Sequence, residues 1–119
     1  MAMAPVSHLS ILPTVLKDAD CLELSLRSLG FQPRRGGVLE GFAGEKVIVE
    51  LQVAVGRDRS LGWGRQADGS LALVGDLQRI AASRSLQTLL GRITRAYAAR
   101  HALAEAAEQL PGAVIDVHA

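Results

Sequence analysis

Aromatic side chains are scarce in this 119-residue chain: Phe31, Phe42, Trp63 and Tyr97 make up 3% of it. A stacking platform for single-stranded nucleic acid needs several clustered rings, which this chain scarcely supplies. Cysteine is limited to Cys21, which excludes an internal disulfide framework and fits a reducing compartment. No run of about 18 apolar residues occurs, so a membrane-spanning helix is excluded. The start, Met1-Ala2-Met3-Ala4-Pro5, lacks the basic flank and apolar stretch of a secretory signal. An excess of one charge is missing too, since the formal net charge is +1. What is present is apolar: 49% of the residues are hydrophobic and 21% charged, which argues against disorder and for a buried core. The expectation is one soluble, cytoplasmic domain over residues 1–119, with residues 1–6 as a flexible start.

Periodicity places the elements. His8-Leu9-Ser10-Ile11-Leu12 reads as a short strand stopped by Pro13. Asp18 or Asp20 can cap a helix, and Glu23 stands three residues after Asp20 in capping-box spacing. Leu22, Leu26 and Leu29 then form one buried stripe, with Gly30 as the left-handed stop and Phe31 closing behind it. Val38 to Phe42 and Lys46 to Val55 read as a hairpin around Ala43-Gly44-Glu45. The second strand puts Val47, Val49, Leu51, Val53 and Val55 on one face. Leu61 to Arg65 and Ser70 to Val74 form another hairpin around Asp68-Gly69. Leu61, Trp63 and Arg65 share a face there, and Gly62 with Gly64 leaves the other bare.

From Asp76 the period becomes helical. Leu77, Ile80 and Ala81 mark a short helix; Leu86, Leu90, Ile93 and Tyr97 mark a longer one, continued by Leu103, Ala107 and Leu110 and ended by Pro111-Gly112. Ala113 to Val117 reads as a last strand. Strands split by helices, with hairpins between, predict an α+β fold: an antiparallel sheet with helices on one face, in a ferredoxin-like topology extended by a hairpin.

Certain residues carry a family resemblance. Ser7-His8-Leu9-Ser10, the helix from Asp18 to Gly30, and Leu61-Gly62-Trp63-Gly64-Arg65 through Asp68-Gly69 to Leu73-Val74-Gly75-Asp76 resemble the hypothetical chloroplast reading frame thirty-five family. It is a domain of unknown function of plastid, cyanobacterial and other bacterial genomes. Tyr97-Ala98 and the small C-terminal strand fit it too, so the resemblance covers the chain from about Ser7. The chain departs from the pattern at Leu9 and Leu71, where aromatic residues are expected. The family carries no established activity, so no catalytic residue transfers. The resemblance implies an accessory role beside an ATPase of the AAA+ class.

Candidate chemistry is thin. Gly36-Gly37 and Gly62-Trp63-Gly64 match neither the phosphate loop nor the dinucleotide fingerprint, and Gly62 with Gly64 suits close packing of a helix on the sheet or a twist in it. Cys21 stands in the first turn of a helix, where the dipole could activate a thiol, but a small buried hydrophobe explains it better. A ferredoxin-like pairing of the first and last strands would bring His8 near His118 and Asp116. These are the candidates for a metal, and terminal exposure is the plainer reading. Glu40, Glu45, Glu50, Asp68 and Asp76 show no dyad spacing.

The unusual charge feature is local. Arg79, Arg84, Arg92, Arg95 and Arg100 lie between Leu77 and Ala104 without an acid. On one continuous helix Arg84, Arg92 and Arg95 share a quadrant. The expected function is therefore a non-enzymatic adaptor that needs no cofactor and binds another protein through Trp63, Arg65, Arg84, Arg92 and Arg95. No specific nucleic acid or membrane partner is expected. The alternative is a small-ligand or metal-dependent catalytic domain using the His8 and His118 end of the sheet.

Overall fold

Among the described residues the chain runs β1 (Ser10–Pro13), α1 (Ala19–Ser28), β2 (Arg34–Arg35), β3 (Val38–Glu40), β4 (Lys46–Ile48) and β5 (Leu51–Gly56). It continues through β6 (Arg59–Arg65), β7 (Leu71–Gly75), α2 (Leu77–Ala82) and α3 (Arg84–Gln109). The structure, a computed structural model, describes residues 9–41, 44–56 and 59–109. The expected last strand, Ala113 to Val117, lies outside them, as do the Pro111-Gly112 helix stop, His8, His118, Asp116 and the expected flexible start.

The fold is α+β. Five strands form an antiparallel sheet in the order β1-β7-β6-β5-β2, and β3 with β4 forms a separate two-stranded sheet. The adjacency of β1, β7 and β6 is compatible with a ferredoxin-like arrangement, with β5 and β2 extending it.

α1 forms where its sequence signals place it. Asp18 Oδ1 accepts a hydrogen bond from the Cys21 N–H at 3.0 Å, so Asp18 is the cap. Glu23 does not close a box with Asp20; it pairs with Arg27 and Arg35 instead. At the other end Gly30 takes φ +95°. The Phe31 N–H donates to Leu26 O and the Gly30 N–H to Arg27 O, both at 3.0 Å, which completes a Schellman motif.

The main core lies between the helices and one face of the large sheet. Leu22 and Leu26 of α1 meet Leu51, Val53, Leu61, Trp63, Leu71 and Leu73 of the strands, closed by Leu86, Ile93 and Tyr97 of α3. The opposite face is not bare. Leu39, Val49 and Val74 form a second cluster there, with Leu9 and Val47 packed against it. Glycine permits this approach: a Cβ at Gly62 would sit 2.7 Å from Val49 Cγ1 and 3.5 Å from Leu39 Cδ2. What packs against the glycine face is thus a β-hairpin.

That hairpin corrects the reading of Lys46 to Val55 as one strand. The ladder breaks between Ile48 and Leu51. At the break the Val49 N–H donates to Gly37 O at 3.1 Å and the Glu50 N–H to Trp63 O at 2.8 Å. Val47 and Val49 therefore serve the second cluster, while Leu51, Val53 and Val55 serve the first.

Asp76 caps α2 through the Arg79 N–H at 3.2 Å, and the Ser83 hydroxyl accepts from the Leu86 N–H, also at 3.2 Å, where α3 begins. Beyond Tyr97 no described residue of α3 is buried; Leu103 and Ala107 of the expected stripe are exposed. Among the described residues no helix is long and apolar enough to cross a membrane.

Candidate functional site

The residues singled out by sequence fall in different places. Trp63 is 2% exposed, so its ring belongs to the core and offers no contact surface, because β6 turns that side chain toward the helices. Leu9 and Leu71, the two departures from the expected family pattern, also serve packing: Leu71 is fully buried, and Leu9 lies against the second cluster.

Arg65 is committed within the fold. Its Nη1 donates to Lys17 O at 2.6 Å and to Gly69 O at 2.7 Å. Its Nη2 lies 2.7 Å from Glu50 Oε2. That enclosed oxygen accepts no aligned hydrogen bond, so the guanidinium compensates it by charge alone. From the other side the Tyr97 hydroxyl accepts the Lys17 N–H at 3.1 Å and the Asp18 N–H at 3.0 Å. Sheet, α1 and α3 are thereby tied at the entry to α1.

A second polar cluster adjoins it. Arg35 of β2 bridges Asp20 and Glu23 of α1, and Arg27 adds a contact to Glu23 at 3.3 Å. The hydrogen bond from Arg35 holds the Glu23 carboxyl below the usual carboxylate range, with Arg27 acting in the same direction. The same bond raises the Arg35 pKa. In the β6–β7 turn the Ser70 hydroxyl, then the Ser70 N–H, lowers the Asp68 pKa. Cys21 goes the opposite way: burial, reinforced by Asp18, pushes the thiol up, which is the reverse of an activated nucleophile.

The arginines of α3 face water. Arg84, Arg92 and Arg95 are exposed on the side of the helix away from Leu86, Ile93 and Tyr97, and none has an ion pair among the described residues. Arg79 and Arg100 are exposed as well. Among the described residues no group of three histidine, cysteine, aspartate or glutamate side chains could hold a metal ion.

A cleft of about 640 Å³, unsignalled in the sequence, opens where the two clusters meet. Leu39, Val55, Leu61, Ile80 and Leu86 give it apolar walls, and Glu40, Gln52, Arg59, Ser60, Asp76 and Arg79 give it polar ones. Its walls come from five elements, so no local spacing could have announced it.

Comparison with known proteins supplies the family. A family model described as a protein of unknown function, DUF1257, matches residues 25–112. The chain belongs to the DUF1257 family. The DUF1257 match begins inside α1 and takes in both sheets except β1, so it covers less of the N-terminal end than the resemblance from Ser7 implies. No curated protein and no solved structure matches the chain.

Proposed function

We propose that this DUF1257 protein is a non-enzymatic accessory domain that docks on an acidic protein surface through the outward face of α3. The observation that carries this reading is the set Arg84, Arg92 and Arg95, exposed and without carboxylate partners among the described residues. An arginine fork pairs bidentately with a single carboxylate, so a few such residues suffice for a protein surface. A duplex backbone asks for more: non-specific DNA affinity draws on many neutralised phosphates, and three arginines release few counterions. The chain's net charge of +1 adds no wider attraction.

The partner class we favour is an ATPase of the AAA+ class, and the compartment the cytoplasm. Both readings rest on the resemblance to the hypothetical chloroplast reading frame thirty-five family and the composition. Capture from native-host extract, with mass spectrometry, tests the proposal. Wild-type protein should retain a partner with an acidic surface in a salt-sensitive way, and Arg92→Glu with Arg95→Glu should lose it while melting as cooperatively as wild type. Equal capture by both proteins, or tight DNA binding at physiological salt that the double variant loses, would overturn it.

A further inference from the structure

The arginines of α3 do not account for the cleft. We propose that the cleft between the β3–β4 hairpin and the start of α2 binds a small amphiphilic anion, an organic carboxylate or phosphate monoester carrying a short aliphatic chain.

Size is the first argument. About 640 Å³ lies inside the range of small-molecule sites, which run from roughly 300 to 1,000 Å³. Placement is the second. Leu61, Ile80 and Leu86 belong to the main cluster and Leu39 to the second, so the cleft is the seam at which two separately packed cores meet. All four are firmly buried in their own cluster, which makes the apolar walls a fixed surface.

Two cationic side chains of the lining argue for an anion. Arg59 and Arg79 both line the cleft, from β6 and α2, and neither side chain has an ion pair or hydrogen bond among the described residues. Two carboxylates share the lining. Asp76 Oδ1 accepts the Arg79 N–H as the α2 cap, and Glu40 meets Lys46 through the backbone register of the β3–β4 ladder. The two guanidinium groups are the charged donors of the lining, and two forks on one cavity suit a carboxylate or phosphate. Gln52 and Ser60 add neutral polar atoms to the same lining, although the Gln52 amide already donates to Gly36 O at 2.9 Å.

The apolar part of the ligand is aliphatic. No aromatic ring occurs in the described lining, so a nucleobase would find leucine, isoleucine and valine where it needs a stacking partner. A short alkyl chain gains from those same walls in proportion to the area it buries.

Octyl phosphate is the probe. Calorimetry should show saturable binding, with octanoate competing and 1-octanol at least tenfold weaker. Arg59→Gln with Arg79→Gln should weaken octyl phosphate at least tenfold. Arg27→Gln with Arg34→Gln removes the same charge elsewhere and should bind as wild type does. Both pairs of side chains are exposed, and a cooperative melt confirms that each variant is folded. Methyl resonances of Leu39, Leu61, Ile80 and Leu86 should shift on titration of the wild-type protein. Three results would overturn the assignment: no saturation at millimolar octyl phosphate, equal weakening in both double variants, or methyl shifts confined to residues outside the cleft.

Discussion

Asp68 and Glu23 are both surface carboxylates whose acidity is set chiefly by one neighbour each. Ser70 holds the first through its hydroxyl at 2.6 Å and its N–H at 2.9 Å, and Arg35 holds the second. In each the folded pKa lies below the ordinary value. Their contribution to stability is therefore complete above the unfolded-state carboxylate range and is lost as the pH falls through the folded pKa values. The urea midpoint should drop as the pH is lowered from about 6 toward 3. Asp68→Asn with Glu23→Gln, which cannot titrate, should flatten that slope. An acid limb as steep as the wild type's would show that these two bonds are not what makes it. Asp68 is legible in the sequence as the turn residue before a glycine. Glu23 is not, because its partner Arg35 arrives from another element. Tyr97 is half legible in the same sense: its ring fits the apolar stripe of α3, but the two N–H groups its hydroxyl accepts lie about 80 residues earlier.

Single elements were easier to read than the sheets they join. The cap at Asp18, the Schellman stop at Gly30 and the Asp76 start of α2 all follow from local rules, and Leu26 and Val49, central to their apolar periods, are both buried. Alternation of period two marks Lys46 to Val55 as extended chain, yet it carries no information about a change of sheet within the run. The break at Val49 and Glu50 depends on backbone partners from Gly37 and Trp63. Gly62 is the counterpart of that break, since it leaves room for the Val49 side chain. Gly62→Ala puts a methyl 2.7 Å from Val49 Cγ1. The β-branched valine has little rotamer freedom with which to yield. The expected cost is about 1 to 3 kcal/mol, the usual penalty for overpacking. Chemical denaturation measures it, and a change under about 0.5 kcal/mol would mean the hairpin moves aside at little cost. The cleft is not legible at all, because Arg59 and Arg79 come to line one cavity only once β6 and α2 are placed.

At the scale of the whole molecule the two sheets are unequal. The five-stranded sheet is held by helices through a cluster that includes Leu22, Leu26, Leu51, Leu61, Trp63, Leu71 and Ile93, whereas three buried residues and two partly buried ones fasten the β3–β4 hairpin to its back. Val38 and Ile48 of that hairpin are both exposed. Few buried contacts mean a low free energy of local opening. The molecule therefore keeps two clocks. Amides of Lys46 to Ile48 should exchange with solvent deuterium through brief detachments of the hairpin, while those of Leu71 to Val74 should wait for global unfolding. Equal protection of the two sets would make the molecule a single cooperative unit. Because Val38, Leu39 and Glu40 also wall the cleft, the faster clock would set how often that seam is exposed to the surrounding solution.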